Sequence, residues 1–215
     1  MSEAPERVLP GRSIKQQRGR KTYDALVATG FELLEEKELE DITIAELAQK
    51  AGYSVGAFYA RFRSKDEFFD AMIADHLDER RKTRRKQFAD LPADVLIAKV
   101  IDDTVSYYWG RRRFWRAALI RSIREPDFWE PLRGLGHEFA SSIIAHIAER
   151  AERKLTKSEQ TNVRFALQLV LGTINNAIIN RPGPILIGQK QFVESLVRAF
   201  KLVSEYDVLV GAARS

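Results

Sequence analysis

One stretch of the sequence, residues 43–65, constrains the fold more than any other. Thr43 and Glu46 have the spacing of a capping box, in which a hydroxyl and a carboxylate satisfy free N–H groups at a helix start. Gly52 stands where a helix commonly ends in a left-handed conformation. Ser54 is a favoured cap for a following helix. The stretch therefore predicts two short helices joined by a tight turn.

Apolar residues recur at helical spacing along nearly the whole chain, and strand-like alternation is absent. The sequence predicts an all-α fold of about nine helices, with an N-terminal three-helix helix-turn-helix domain and a C-terminal helical domain. Expected helices cover residues 23–37, 43–51, 54–62, 64–88, 92–109, 111–124, 126–154, 156–180 and 189–206. The expected domains are a basic N-terminal arm (1–20), the helix-turn-helix domain (21–75, motif 43–62) and the C-terminal domain (76–215).

Composition excludes several classes of protein. The 215-residue chain has no cysteine, which rules out disulfides and thiolate sites and fits a reducing cytoplasm. Its first residues are charged and do not resemble a secretory signal. Its longest apolar region, residues 165–179, is interrupted by polar side chains and predicts a buried helix instead of a membrane span. We expect a cytoplasmic protein without a membrane segment.

No catalytic pattern occurs in the sequence. His76, His137 and His146 lack metal-ligand spacing, and there is no nucleophile elbow, phosphate-binding loop or dinucleotide fingerprint. We expect no enzyme activity, no cofactor and no metal.

Positive charge is concentrated in the N-terminal third. Residues 11–21 contain five basic side chains and no acidic one, and residues 52–65 contain three and none. Such clustering is the footprint of a phosphate-binding face. The later basic run, residues 80–86, is interpreted as a solvated face.

The second helix of the motif is expected to have two faces. The inward stripe consists of Val55, Phe58, Tyr59 and Phe62, and the outward face of Gly56, Ala57, Ala60 and Arg61. Small outward residues let a helix backbone approach base edges, and an arginine can reach a phosphate or a guanine.

At these residues the chain resembles the TetR family of transcriptional regulators. The resemblance covers residues 21–72 and depends on Thr43, residues 45–51 with Gly52, Ser54, Gly56, Tyr59, Phe62 and the Ser64-Lys65 pair. It implies a homodimer that binds a palindromic operator in double-stranded DNA, usually as a repressor, and leaves the operator when a small molecule enters the C-terminal domain.

The family's DNA-contacting positions fall on Thr43, Ser54, Val55, Gly56, Ala57, Tyr59, Arg61 and Lys65. The basic segment of residues 12–21 adds Arg18, Arg20 and Lys21 as expected backbone contacts. Val55 stands where the family often has lysine and Ala57 where it often has threonine. Base readout is therefore expected to depend on Arg61, close backbone approach and DNA shape.

The eighth and last expected helices are candidates for the dimer interface. The eighth is apolar on more than one face and the last has a broad apolar stripe, so the apolar faces of both must pack against other helices. One interpretation is a monomer core, and the other is a homodimer formed through these two helices.

The region from the fifth to the eighth helix is a candidate pocket for a largely apolar small-molecule effector, since pockets combine apolar walls with a few polar groups. The candidate lining residues are Thr104, Tyr107, Tyr108, Trp109, Phe114, Trp115, Phe128, Trp129, His137, Asn175 and Asn176. For each aromatic residue, the alternative interpretation is a place in the hydrophobic core. An alternative for the whole protein is a helical ligand- or partner-binding module that does not read DNA.

Overall fold

The computed structural model describes residues 10–90 and 93–211, and the side chains of residues 10–18 and 84–94 lie outside the description. The expected contact Arg18 therefore has no described side chain. The chain divides into two compact units, Met1–Asp75 and His76–Ser215.

The N-terminal unit is built from α1 (Pro10–Glu36), a short 3-10 helix (Leu39–Asp41), α2 (Ile44–Lys50), α3 (Val55–Tyr59) and the first part of α4 (Lys65–Asp90). Helix α1 begins at Pro10 and not near Tyr23, so the segment expected to be an arm is helical from Pro10 onward. Lysine, arginine and glutamine favour helix nearly as well as alanine, which explains the extension.

The C-terminal unit contains the rest of α4 and six further helices. These are α5 (Ala93–Gly110), α6 (Arg112–Arg124), α7 (Glu130–Arg150), α8 (Lys157–Ile179), α9 (Lys190–Ser204) and α10 (Tyr206–Gly211), with a 3-10 turn at Pro126–Trp129. The expected all-α fold is confirmed over the described ranges, which contain no strand. Helix α10 was not expected; it starts anew after Glu205, whose backbone is left-handed and ends α9.

Aromatic rings form the core of the N-terminal unit. Phe62 lies at the centre, with its ring centroid 5.2 Å from Phe68, 5.3 Å from Phe58 and 5.5 Å from Tyr23. Buried residues of α1 and α2, among them Leu26 and Leu47, complete this core. The cluster fixes α3 against α4 and thereby decides which side of α3 remains exposed.

In the C-terminal unit, α8 packs most extensively on α9 and also contacts α5, α6 and α7. Helix α8 begins with a complete capping box between Thr156 and Glu159. No helix of the described residues is long and apolar enough to cross a membrane.

The basic run at residues 80–86 is not wholly solvated. Arg80 is buried, with its guanidinium 4.2 Å from the centre of the Tyr107 ring. Arg81 forms a bidentate hydrogen-bonded ion pair with Glu138. The expectation of a solvated face is wrong for Arg80, because the Tyr107 ring of α5 covers its guanidinium.

Candidate nucleic-acid interface

The turn between α2 and α3 is fixed by backbone hydrogen bonds. Gly52 adopts φ +78°, where any other residue would be strained. The N–H of Gly52 donates to the Gln49 carbonyl at 3.0 Å, and the N–H of Tyr53 donates to the Ala48 carbonyl at 2.8 Å. This pair of bonds is a Schellman motif, so the turn is defined by local chemistry and holds α3 at a fixed angle to α2.

Side-chain hydroxyls cap both helices of the motif. Thr43 Oγ1 accepts from the Glu46 N–H and Ser54 Oγ accepts from the Ala57 N–H, each at 3.1 Å. Both residues are exposed. Because a hydroxyl that accepts one hydrogen bond keeps its own proton to donate, both remain able to bond a phosphate oxygen.

The Glu46 carboxylate also forms an ion pair with Lys37. It accepts from Lys37 Nζ at 2.5 Å, and this hydrogen bond is the main reason that the pKa of Glu46 is lowered, with help from the Thr43 backbone. The Lys37 pKa is raised by the same bond. The pair joins the end of α1 to α2.

Helix α3 presents a different face from the expected one. Phe58 and Phe62 are buried, but Val55 is 40% exposed and Tyr59 is 55% exposed. The expected inward placement of Val55 and Tyr59 is therefore wrong, because two phenylalanines already fill the space beside Phe68.

The outward surface of this helix, which we call the α3 face, is small and mostly apolar. Its members are all exposed: Ser54, Val55, Gly56, Tyr59 and Ala60. Ala57 is half-buried beside them. A ridge with so few long side chains can enter a groove closely.

Lys65 is occupied within the fold. Its ammonium group donates to the backbone carbonyls of Leu39 (2.8 Å), Ile42 (3.0 Å) and Glu40 (3.1 Å). An ammonium has three N–H donors, so these three bonds use its full capacity. Lys65 thus ties the start of α4 to the 3-10 turn that precedes α2.

Arg61 turns towards α1. Its Nε donates to the Gly19 carbonyl at 3.2 Å and its Nη1 to the Ala60 carbonyl at 3.0 Å. A Cβ atom at Gly19 would lie 3.0 Å from Arg61 Nη2. Next to this contact, Arg20 and Lys21 are exposed, so Arg61 connects the end of α3 to the basic segment of α1.

Arg63 is an exposed basic residue that was not among the expected contacts. Its backbone N–H donates to Glu67 Oε2 at 2.6 Å, while Ser64 Oγ caps α4 by accepting from the Glu67 N–H at 3.1 Å. The Glu67 carboxylate thus reaches one residue further back than a capping box predicts. The absence of acidic residues between positions 52 and 65 was the signal that points to Arg63.

A cavity of about 690 Å³ lies in the C-terminal unit along α9 and α10, and another of about 670 Å³ lies among α5 to α8. We call the second one the α7–α8 cavity. Among its lining residues are five of the eleven expected ones: Tyr108, Trp115, Trp129, His137 and Asn175.

The other six expected residues do not line the α7–α8 cavity. Tyr107 and Phe114 surround His76, whose Nδ1 lies 2.7 Å from the Tyr107 hydroxyl. Burial raises the pKa of Tyr107. The remaining four have neighbours elsewhere. The Arg112 guanidinium lies over the Trp109 ring, and that of Arg121 lies over the Phe128 ring. The Thr104 hydroxyl donates to the Val100 carbonyl, and the Asn176 side chain accepts from Asn180.

Three polar residues that line this cavity were not among the expected ones: Arg133, Arg164 and Gln168. Arg164, Gln168, Leu171 and Asn175 share one face of α8 at helical spacing. That spacing was available in the sequence and would have linked them to Asn175.

A helix-turn-helix unit followed by a larger all-helical unit is the architecture that the structure defines. Residues 26–72 match the family model for bacterial regulatory proteins of the tetR family. The helix-turn-helix region of the chain is therefore of the TetR type, and the regulators of that family are transcription factors and not enzymes.

Similar proteins agree with this assignment. A curated relative, an uncharacterized HTH-type transcriptional regulator (YwcC) of Bacillus subtilis, is 31% identical over 65 residues. This match covers 30% of the chain and 27% of the relative, so the chain spans about a quarter of that relative's length.

Solved structures share the fold over most of the chain. A tetR-family transcriptional regulator from Streptomyces coelicolor is 16% identical with a TM-score of 0.67, covering 89% of this chain and 90% of that one. A transcriptional regulator from Cytophaga hutchinsonii is 15% identical with a TM-score of 0.66, covering 87% and 96%. A TetR regulator from Rhodococcus is 21% identical with a TM-score of 0.52, covering 85% and 96%.

Proposed function

We propose that the chain is a sequence-specific DNA-binding repressor whose α3 face enters the major groove. The observation that carries the proposal is the exposure of Ser54, Val55, Gly56 and Tyr59 on a helix held by the Schellman turn. A recognition helix presents its N-terminal residues to base edges. Val55 is suited to a thymine methyl group, and Gly56 allows close approach of the backbone.

Phosphate binding is supported by groups around this face. Thr43 and Ser54 keep hydroxyl protons to donate, and Tyr59 has an exposed phenol. Arg20, Lys21 and Arg63 add exposed positive charge. Lys65 acts in this proposal mainly by holding the start of α4 in place, since its three N–H donors already bond backbone carbonyls. Arg61 uses two of its five guanidinium N–H donors on the Gly19 and Ala60 carbonyls, so it holds α1 and keeps donors for a phosphate oxygen.

A homodimer would supply the second recognition helix that a palindromic operator requires. Support comes from apolar side chains left uncovered on the predicted interface helices. Phe165 and Leu169 are exposed one turn apart on α8, and Leu202 on α9 is 77% exposed. Burying such residues against a symmetry mate removes apolar surface from water.

A small-molecule effector would release the repressor by binding in the C-terminal unit. The α7–α8 cavity has the volume of typical ligand pockets, 300–1,000 Å³ in order of magnitude. Since the target is chromosomal DNA, the proposed site of action is the cytoplasm.

The test measures binding to the DNA upstream of the chain's own gene at increasing salt concentration, with fluorescence anisotropy as the readout. We expect a linear fall of log affinity with log salt, because phosphate contacts release counterions, and tighter binding than to a shuffled duplex. Equal affinity for both duplexes at moderate salt would instead favour a helical ligand- or partner-binding module that does not read DNA.

Two substitutions test the placement of the α3 face. Gly56→Ala adds a methyl group that meets only Ser54 Oγ, at 3.7 Å, so the fold is preserved while the approach to the groove is obstructed. Gly110→Ala, at an exposed position at the end of α5 with no atom within 4 Å, is the matched control. Operator affinity should fall about tenfold for the first, a loss typical of one good base contact, and stay unchanged for the second. Equal operator affinities of the two variants would show that α3 does not enter the DNA groove.

A further inference from the structure

We propose that the α7–α8 cavity binds a hydroxylated aromatic carboxylate. The proposal deepens the effector site of the proposed function and rests on it. Three independent features of the lining define this ligand: flat aromatic walls, buried hydrogen-bonding atoms without partners, and an excess of positive charge.

The aromatic wall favours a flat ligand. Tyr108 and Trp115 are stacked with ring centroids 4.1 Å apart and planes within 2°, and Trp129 meets Trp115 edge-on at 6.4 Å. Such rings prefer offset-stacked or edge-to-face partners. The volume of about 670 Å³ accommodates a ligand of two fused rings with substituents.

Two buried polar atoms lack partners. Trp115 Nε1 and Asn175 Oδ1 have no hydrogen-bond partner among the described residues, and both residues line the cavity. Trp115 is 98% buried, so its N–H cannot turn to bulk water. An unsatisfied buried polar group is costly. A hydroxyl group on a ligand has the chemistry that such atoms lack, because it can accept from an indole N–H or donate to an amide oxygen.

Charge selects an anion. Arg133 and Arg164 line the cavity, and none of its described lining residues is an aspartate or glutamate. Arg133 is already paired with Glu130 at 2.7 Å. Arg164 forms no ion pair within the described part of the chain and is exposed at the cavity's edge. A guanidinium binds a carboxylate through two parallel hydrogen bonds, so Arg164 is placed to hold the ligand's carboxylate.

Calorimetric titration of the full chain with four compounds tests the assignment. The probes are 6-hydroxy-2-naphthoate, its neutral counterpart 6-hydroxy-2-naphthamide, 2-naphthoate without the hydroxyl, and the aliphatic acid decanoate. We expect the hydroxynaphthoate to bind about tenfold more tightly than each of the others, which corresponds to one charge-assisted hydrogen bond or one satisfied buried group.

Matched variants assign each preference to its residue. Arg164→Gln should abolish the preference for the acid over the amide, whereas Arg133→Gln, at the guanidinium paired with Glu130, should preserve it. Asn175→Leu should abolish the preference for the hydroxylated acid. Near-ultraviolet circular dichroism and the thermal midpoint establish that each variant is folded.

Several outcomes would overturn the inference: no binding of any aromatic probe, equal affinities for acid and amide, decanoate binding as tightly as the hydroxynaphthoate, or an acid preference that survives Arg164→Gln. Operator binding without added probe is measured in parallel. If the protein binds its operator but none of the probes, only the ligand assignment is wrong. If it binds the probes but no operator, the proposed function is wrong.

Discussion

At the scale of the residue, Gly30 fixes how closely α1 approaches α4. A Cβ atom at this position would lie 2.6 Å from the Phe68 ring and 3.0 Å from the Met72 sulfur. Both neighbours are fully buried in the aromatic core, so neither can move freely. Overfilling a packed core forces side chains from their rotamers.

We therefore predict that Gly30→Ala lowers the free energy of unfolding by about 1–3 kcal/mol despite the better helix propensity of alanine. Urea denaturation followed by circular dichroism measures the change. Gly134→Ala in α7, where a Cβ meets no atom within 4 Å, is the control and should be neutral or stabilising. A neutral Gly30→Ala would contradict the close approach.

His146 gives the C-terminal unit a pH response. Burial, with help from the Arg150 charge, holds the pKa of His146 below its ordinary value of 6.5. The folded state thus favours the neutral imidazole, and the unfolded chain binds more protons in mildly acidic solution. Stability is full above about pH 6.5 and falls as the pH drops below that value, until the folded state also takes up the proton.

We expect the free energy of unfolding to decrease between pH 7.5 and 5.5, and His146→Leu to reduce that decrease. Urea titrations at four pH values provide the measurement, with His137→Leu, at an exposed histidine, as the control. An identical pH profile for wild type and His146→Leu would show that other groups cause the response.

Lys65 and Arg61 illustrate what sequence could and could not predict for a residue. Their charge and position indicated a phosphate-binding segment. Their actual partners are backbone carbonyls at Leu39, Ile42 and Gly19, and no local pattern specifies a carbonyl more than twenty residues away. The destination of a long side chain is decided by tertiary packing.

At the scale of the element, the start of α8 combines three interactions. Thr156 Oγ1 accepts from the Glu159 N–H, the Glu159 carboxylate accepts from the Thr156 N–H at 2.7 Å, and Arg153 forms two hydrogen bonds with the same carboxylate. The Arg153 hydrogen bond is the largest cause that lowers the Glu159 pKa to about 2. This helix start therefore remains intact in moderately acidic solution.

We predict that Thr156→Ala costs about 1 kcal/mol of stability, the usual value for an N-cap. Thr161→Ala is the control, since the Thr161 hydroxyl bonds only the Lys157 carbonyl within the same helix. Chemical denaturation compares the two. A loss of the same size in both variants would argue against a specific cap.

Helix starts at positions 44, 55, 65 and 157 were predictable because each is set by a cap within four residues. The faces of α3 were not. A helix of five residues is too short for its apolar periodicity to define a direction, and Val55 and Tyr59 remain outside because Phe58 and Phe62 occupy the core.

At the scale of the whole molecule, uncovered apolar side chains on α8 favour assembly. Leu169 lies one turn from Phe165, and both are exposed. In a two-fold symmetric interface the same patch occurs on both partners, so one substitution changes both sides of the interface.

Leu169→Asp should therefore convert the expected dimer into a monomer at micromolar concentration and weaken operator binding. Light scattering after size-exclusion chromatography gives the mass. Ile123→Asp places the same charge on an α6 residue that is 78% exposed and should leave the dimer intact. A monomeric wild type, or a dimeric Leu169→Asp, would exclude this interface.

The sequence by itself determined the all-helical class, the helix starts and the resemblance of residues 21–72 to a DNA-binding motif, because capping, turn chemistry and helical periodicity act over a few residues. Only the tertiary structure decided which side of α3 is exposed, that Lys65 is bonded inside the fold, and that Arg164 and Asn175 share a cavity with Trp115. These outcomes depend on contacts between residues far apart in the chain, where competition for one buried space selects among faces that local sequence leaves equivalent.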